Sequence, residues 1–211
     1  MNSTIMHLMI LIAITLSGCT QHTQQQHRQT TPIVSQDWPQ HQMRIDAIKN
    51  WQATGKLGVK APGEGGSATL RWGQRGAQYQ IDFNGPFGQG NMSIEGGPGR
   101  VTFSGGGNPP QSAKTAEELL QKNTGWQIPL SQLTFWLRGL PDPSMPITNL
   151  TTNSQGLIGE LNQAGWKIVY GDYLSITDAT STIAMPGRIT AEFKEIRLTL
   201  LIRTWRLGDT E

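Results

Sequence analysis

From residue 51 onward the chain is built from short runs in which apolar and polar residues alternate, divided by clusters of Gly, Pro and Asn. Five such runs, at 51–60, 67–72, 78–83, 90–95 and 101–104, come in close succession. Within them Ala68, Leu70 and Trp72 fall on one face while Ser67, Thr69 and Arg71 fall on the other, and Tyr79, Ile81 and Phe83 oppose Gln78, Gln80 and Asp82 in the same way. A period of two buries one face of a strand and leaves the other to water. With turn residues between the runs, the pattern predicts an antiparallel meander.

Helical spacing appears in three places. Met43, Ile45, Ala47 and Ile48 predict a short amphipathic helix over 43–50, ahead of the strands. Thr115-Ala116-Glu117-Glu118 has the form of a capping box, with Leu119 and Leu120 behind it and Gly125 as the stop. A third helix follows at once: Pro129 suits its first turn, Leu130, Leu133 and Leu137 share a face beside Trp136, and Gly139 with Pro141 ends it. Alternation returns at 157–161, 166–170, 188–193 and 195–207. About nine strands and three helices predict a mainly β fold, a strongly curved antiparallel sheet wrapped around or covered by its helices, with a closed barrel as the competing arrangement.

The N-terminus reads differently. Residues 5–16 are apolar except for His7 and Thr15, and Ser17 and Gly18 precede Cys19, the only cysteine. This is a signal segment with a small-residue cut site, too short for the roughly 20 apolar residues of a membrane span. Leu16-Ser17-Gly18-Cys19 resembles the lipobox of bacterial lipoproteins, which implies cleavage before Cys19 and acylation of that cysteine. Residues 20–36, rich in Gln, Thr and His, have the composition of a tether; as a coil it would span about 20–25 Å at ~5–6 Å × √n. The expected organisation is a signal peptide at 1–18, a lipidated Cys19 with its tether to 36, and a single domain over 37–211.

Charge and residue usage narrow the chemistry. A formal net charge of +2 gives no argument for nucleic acid and allows at most a mild attraction to anionic lipid headgroups. The four histidines, His7, His22, His27 and His41, all precede the strands, so the sheet domain holds neither a Ser-His-Asp nor a Cys-His arrangement, nor the usual zinc ligands. Asp82, Asp142, Glu160, Asp172, Asp178 and Glu192 remain as carboxylates, but nothing in their spacing pairs them as a glycosidase acid and base. The glycine-dense stretch 96–107 lacks the Lys-Ser/Thr step of a phosphate-binding loop and reads as hairpin turns. No catalytic residue, metal or cofactor is expected.

Seven tryptophans, at 38, 51, 72, 126, 136, 166 and 205, either fill a core or line a partly unfilled concave face. Asn84-Gly85-Pro86-Phe87-Gly88 predicts a tight turn that either folds Phe87 back onto the sheet or holds it at the tip of a rigid loop.

Together these pieces resemble the LolB family of outer-membrane lipoprotein receptors. The likeness is carried by Leu70-Arg71-Trp72, the Asn84–Gly88 loop, Glu117-Glu118-Leu119-Leu120, Ile128-Pro129-Leu130, Trp136-Leu137-Arg138-Gly139-Leu140-Pro141, Trp166-Lys167-Ile168-Val169-Tyr170-Gly171, Ala184-Met185-Pro186 and the last strand with Trp205. It implies a LolA/LolB-like unclosed half-barrel whose apolar concave face is covered by helices. It also implies a monomer, anchored in the outer membrane and facing the periplasm, that receives triacylated lipoproteins from a LolA-like soluble carrier and inserts them into the outer membrane. Phe87 stands where the family has an exposed apolar loop residue, commonly Leu, needed for insertion, and Thr20 after the acylated cysteine agrees with outer-membrane sorting. On this reading Leu70, Trp72, Ile81, Trp136, Leu137 and Trp166 line the acyl-chain cavity.

The physics of such cargo is severe: a dozen methylenes in water cost on the order of 10 kcal/mol at ~0.8 kcal/mol each, so transfer has to run from cavity to cavity and then to bilayer. Two other readings remain open at this level. One is an assembly lipoprotein that binds a protein partner and whose tryptophans are merely packed; the other is a tethered carbohydrate-active enzyme, for which a pair of carboxylates at a cleft would be required.

Overall fold

The computed structural model describes residues 37–85, 90–125, 127–177 and 181–208. The signal segment, Cys19 and its tether, Phe87, Trp126 and Asp178 lie outside the described residues. The elements run α1 (Trp38–Ala47), β1 (Asn50–Ala61), β2 (Glu64–Arg75), β3 (Gln78–Asn84), β4 (Met92–Gly97), β5 (Arg100–Gly105), β6 (Asn108–Ala113), α2 (Ala116–Thr124), α3 (Leu130–Trp136), β7 (Ile147–Thr152), β8 (Ile158–Gln163), β9 (Trp166–Gly171), β10 (Leu174–Thr177), β11 (Thr182–Met185), β12 (Arg188–Phe193) and β13 (Ile196–Leu207).

Eleven strands form one antiparallel sheet in the order β6-β5-β4-β3-β2-β1-β13-β12-β9-β8-β7, and β10 and β11 pair as a separate hairpin. The two ends of that order, β6 and β7, are not paired with each other, so the barrel is unclosed. The expected alternation holds along the central strands: β1 buries Trp51, Ala53, Leu57 and Val59, β2 buries Ala68, Leu70 and Trp72, and β13 buries Leu198, Leu200, Ile202 and Trp205. These inward residues join those of α2 and α3 in one apolar core. The helices therefore sit on the inner face, and the polar positions of the strands form the outer one.

A bulge bends the middle of the sheet. Pairing between β1 and β13 shifts one residue between Thr54 and Gly55, and a Cβ on Gly55 would run into the backbone of Leu201 and Ile202. Only a residue without a side chain allows the two strands to approach there.

The helix ends follow their local chemistry. Thr115 Oγ1 accepts from the Glu118 N–H, and Gly125 takes the left-handed conformation, φ 76°, that stops α2. Glu117 Oε1 accepts from the Ser131 N–H at 2.7 Å, which ties α2 to the start of α3. The expected span of α1, 43–50, is displaced: the helix starts at Trp38 with Pro39 in its first turn and stops at Ala47, because residue 50 already pairs in β1.

Four strands exceed the nine expected. β6 is an edge strand holding Pro109 and Pro110, and β7 is the other edge, exposed or half-buried on both faces. Neither carries the alternation that marks a half-buried strand. The glycine-dense stretch 96–107 does form hairpin turns, the first through Gly99 between β4 and β5, the second through Gly106 and Gly107 between β5 and β6.

Candidate functional site

The six residues expected to line a cavity converge on the inner face. Leu70 and Trp72 project inward from β2, Ile81 lies across from Trp72 on β3, Trp166 begins β9, and Trp136 and Leu137 come from the end of α3. All are buried, Trp166 at 7% and the others at 2% exposure or less. They are packed against one another and against the helices, and the two cavities described below are lined by other residues.

Among the described residues, two groups of aromatic rings pack on the inner face. Trp51 touches Trp72 and Trp205, with ring centroids 5.9 and 5.6 Å apart, while Trp166 lies 6.0 Å from Trp136 and stacks on Phe193 at 5.4 Å. Such tilted contacts add about 0.5–1.5 kcal/mol each beyond area burial. Trp72 Nε1 and the Tyr170 hydroxyl are buried without a hydrogen-bond partner from the protein, and a buried polar group so placed costs about 1–3 kcal/mol. Burial also pushes the Tyr170 phenol well above its ordinary pKa, with Tyr173 adding to the shift.

Two polar residues decide how the helical cover is held, and neither was assigned a role from sequence. Gln163, fully buried at the end of β8, accepts from Trp136 Nε1 at 2.9 Å and from the Asp142 N–H at 2.8 Å, and donates to the carbonyls of Asp142 and Met145. It pins the end of α3 and the chain after it to the sheet. Arg138, 7% exposed, donates to the carbonyls of Thr134, Ile45 and Ile48 and lies over the rings of Trp51 and Phe135. It joins α3 to the C-terminal end of α1, where the helix dipole favours a cation. Desolvation pulls its pKa down. A glutamine at an inward strand position and an arginine amid Trp-Leu and Gly-Leu-Pro were the available signals.

An apolar notch of about 310 Å³ opens where Val59, Ala61 and Pro62 of the β1–β2 end meet Gly125, Gln127 and Ile128 between α2 and α3, with Ile196 at the start of β13. It lies at the lower end of ligand-pocket size. A polar groove of about 640 Å³ lies over β1 to β5, with Arg71, Arg75, Arg100, Asp82 and Glu95 in its lining. The β3–β4 connection leaves from Asn84, beside Thr69 of β2; Phe87 itself is outside the described residues.

Five of the six candidate carboxylates are engaged locally, and Asp178 lies outside the described residues. Glu160 pairs with Lys167 at 3.1 Å, Asp172 with Arg188 at 2.7 Å and Glu192 with Arg197. Asp142 caps Ser144, and Asp82 accepts from Ser93 and Gln80. Among the described residues no group of His, Cys, Asp and Glu is placed to hold a metal ion, and no helix is long and apolar enough to cross a membrane.

Residues 49–205 match the family model for "Outer membrane lipoprotein LolB". Curated relatives named "Outer-membrane lipoprotein LolB" include one from Cellvibrio japonicus, 45% identical over 95% of this chain and 96% of that protein, and one from Nitrosococcus oceani, 37% identical over the same shares. Among solved structures, a LolA superfamily protein from Nitrosomonas europaea superposes with a TM-score of 0.52 at 10% identity, covering 83% of this chain and 96% of that one. A DUF1329 family protein from Desulfovibrio piger gives 0.53 at 9% identity, over 80% and 90%. At such identities the structural likeness speaks for the fold alone.

Proposed function

The chain belongs to the LolB family of outer-membrane lipoproteins, and from that membership we propose that it is the receptor that takes lipoproteins from their soluble periplasmic carrier and delivers them into the outer membrane. Residues 1–18 direct export, acylated Cys19 anchors the protein, residues 20–36 form the tether, and the half-barrel over 37–211 does the work as a monomer without catalytic chemistry or cofactor.

The observation that carries this reading is an inner sheet face that is apolar from β5 to β8 and covered by short helices. Leu119, Leu130 and Leu133 fill the interior, and among the described residues the large apolar side chains exposed to water are Met43 on α1, Ile147 on β7 and Val169 on β9. An entering acyl chain takes the place of those side chains, starting at the notch beside Ile128, and Leu70, Trp72, Ile81, Trp136, Leu137 and Trp166 become its lining. Each buried methylene is worth about 0.8 kcal/mol, enough over one chain to offset displacement of a short helix. Handover to the bilayer then runs down a gradient of affinity, with Phe87 entering the interface at the tip of its loop.

The test is a transfer assay in which the periplasmic carrier, loaded with a lipoprotein, is mixed with the anchored protein in vesicles. Movement of the lipoprotein onto this chain and then into the bilayer is the expected result. Phe87→Glu leaves the first step intact and stops the second. A packed interior is also what an assembly lipoprotein would have; no transfer from an active carrier to the folded protein would refute the receptor reading and leave that one.

A further inference from the structure

Six cations gather on the outer face of three neighbouring strands. β2, β1 and β13 are adjacent in the sheet, and their exposed side chains include Lys56 and Lys60 from β1, Arg71 and Arg75 from β2, and Arg203 and Arg206 from β13. The remaining outward positions are Asn50, Gln52, Thr54, Ser67, Thr69, Thr199, Thr204, glycines and the half-buried Leu201, apart from Arg197, which is paired with Glu192 of β12. Among the described residues no Asp or Glu stands at an outward position of these three strands. To either side the charges are mixed: Lys167 pairs with Glu160 and Arg188 with Asp172 on one flank, while on the other Asp82, hydrogen-bonded by Ser93 and Gln80, stands directly across from Arg71, near Glu95 and Arg100.

We propose that this three-stranded basic ridge docks on the anionic phospholipid headgroups of the bilayer. The cations form a strip along β1 and its two neighbours, bordered on one side by the groove that Arg71 and Arg75 line. Arg71 and Arg203 flank β1 at about 10 Å from each other, and Lys56 and Lys60 lie about 13 Å apart along it, by strand spacing and rise. A protein partner is commonly held by aromatic anchors packed in pockets; the ridge offers no aromatic side chain and only the half-buried Leu201 as a large apolar one, whereas long flexible cations suit headgroups that diffuse to meet them. The sites do not depend on sequence-specific contacts. Docked this way, the helix-covered inner face and its notch point away from the membrane, toward an arriving carrier. The inference rests on the anchored reading only for keeping a bilayer at hand; the charge pattern stands without it.

The experiment uses the mature lipidated chain reconstituted in phosphatidylethanolamine vesicles with or without phosphatidylglycerol. A donor dye is placed at Thr199→Cys on the ridge or Glu118→Cys on α2, with an acceptor dye at the lipid surface. Energy transfer from position 199 rises when phosphatidylglycerol is added and falls again in roughly 0.5 M salt, where the Debye length shrinks to a few ångströms; position 118 shows no such gain. With Lys56→Gln, Arg71→Gln and Arg203→Gln combined, the ratio of docked to undocked protein falls on the order of 100-fold, at roughly five-fold per charge. These positions are exposed, so folding is retained, which circular dichroism verifies. Transfer insensitive to phosphatidylglycerol, or an unchanged response in the triple variant, overturns the proposal. So does a triple variant that docks normally but accepts cargo slowly, which would assign the ridge to an acidic face of the carrier. Docking that persists on vesicles where the carrier hands over nothing would sink the receptor reading and leave the ridge standing.

Discussion

Replacing Arg138 with alanine removes a cation that holds α1 and α3 together, and the cost follows from its contacts. Three hydrogen bonds are lost, to Thr134, Ile45 and Ile48, at 3.2, 3.4 and 3.2 Å. They are long for charge-assisted bonds and are worth about 1 kcal/mol each. The guanidinium carbon also lies 6.0 Å from the Trp51 ring and 5.8 Å from the Phe135 ring, adding about 0.5–1 kcal/mol per contact. Against these, alanine spares the desolvation of a buried cation, which offsets roughly 1–2 kcal/mol. The net loss is about 2–4 kcal/mol, and it falls on the joint with α1 while leaving the strand ladder intact. Amide hydrogen exchange reads this directly: protection across 38–47 drops about 30- to 700-fold, at 1.4 kcal/mol per decade, and protection in β1, β2 and β13 changes little. Arg138→Lys keeps the charge but loses the planar fork, so it recovers only part of the protection. Uniform loss of protection over sheet and helices, or no change at 38–47, would refute the idea that Arg138 is a joint between cover elements.

Three further outcomes are expected. Gly55→Ala forces a methyl group against the backbone of β13 and destabilises the fold by about 2–3 kcal/mol in urea unfolding, whereas Gly73→Ala, with nothing within 4 Å of the new carbon, stays within about 0.5 kcal/mol. Gln163→Leu strands the Trp136 indole N–H and the backbone groups of Asp142 in a buried site, so it costs about 3–5 kcal/mol and raises the mobility of the α3–β7 connection in exchange experiments. His41 is buried, and desolvation, with Arg44 adding to it, lowers its pKa from 6.5 to about 4. The unfolded chain therefore binds the proton first: stability is full above about pH 7 and is lost as pH falls through 6.5 toward 4, by at most about 3 kcal/mol. His41→Gln flattens that part of the stability profile, and an unchanged slope would exclude His41 as its source.

The central strands were legible in the amino-acid order because each is buried on one face only, and burial writes itself as alternation in Trp51–Val59, Ala68–Trp72 and Leu198–Ile202. The helix ends at Thr115 and Gly125 were legible because capping is local chemistry, settled within a few residues. The family resemblance was legible too, since its segments lie in order along the chain. What the order of residues did not contain was pairing at the sheet's margins. β6 is a strand despite Pro109 and Pro110 because an edge needs hydrogen bonds on one side only, and β7 has little buried face to pattern. Nor could it reveal that Leu70, Trp72, Ile81 and Trp166 of the sheet would meet Trp136 and Leu137 of a helix packed tightly against them, that Gln163 and Arg138 would hold that cover, or that cations scattered through β1, β2 and β13 would gather on one ridge. Periodicity and capping depend on neighbours along the chain, whereas a ridge, a joint and a filled interior depend on which distant strands lie side by side, and only the closing of the sheet order decides that.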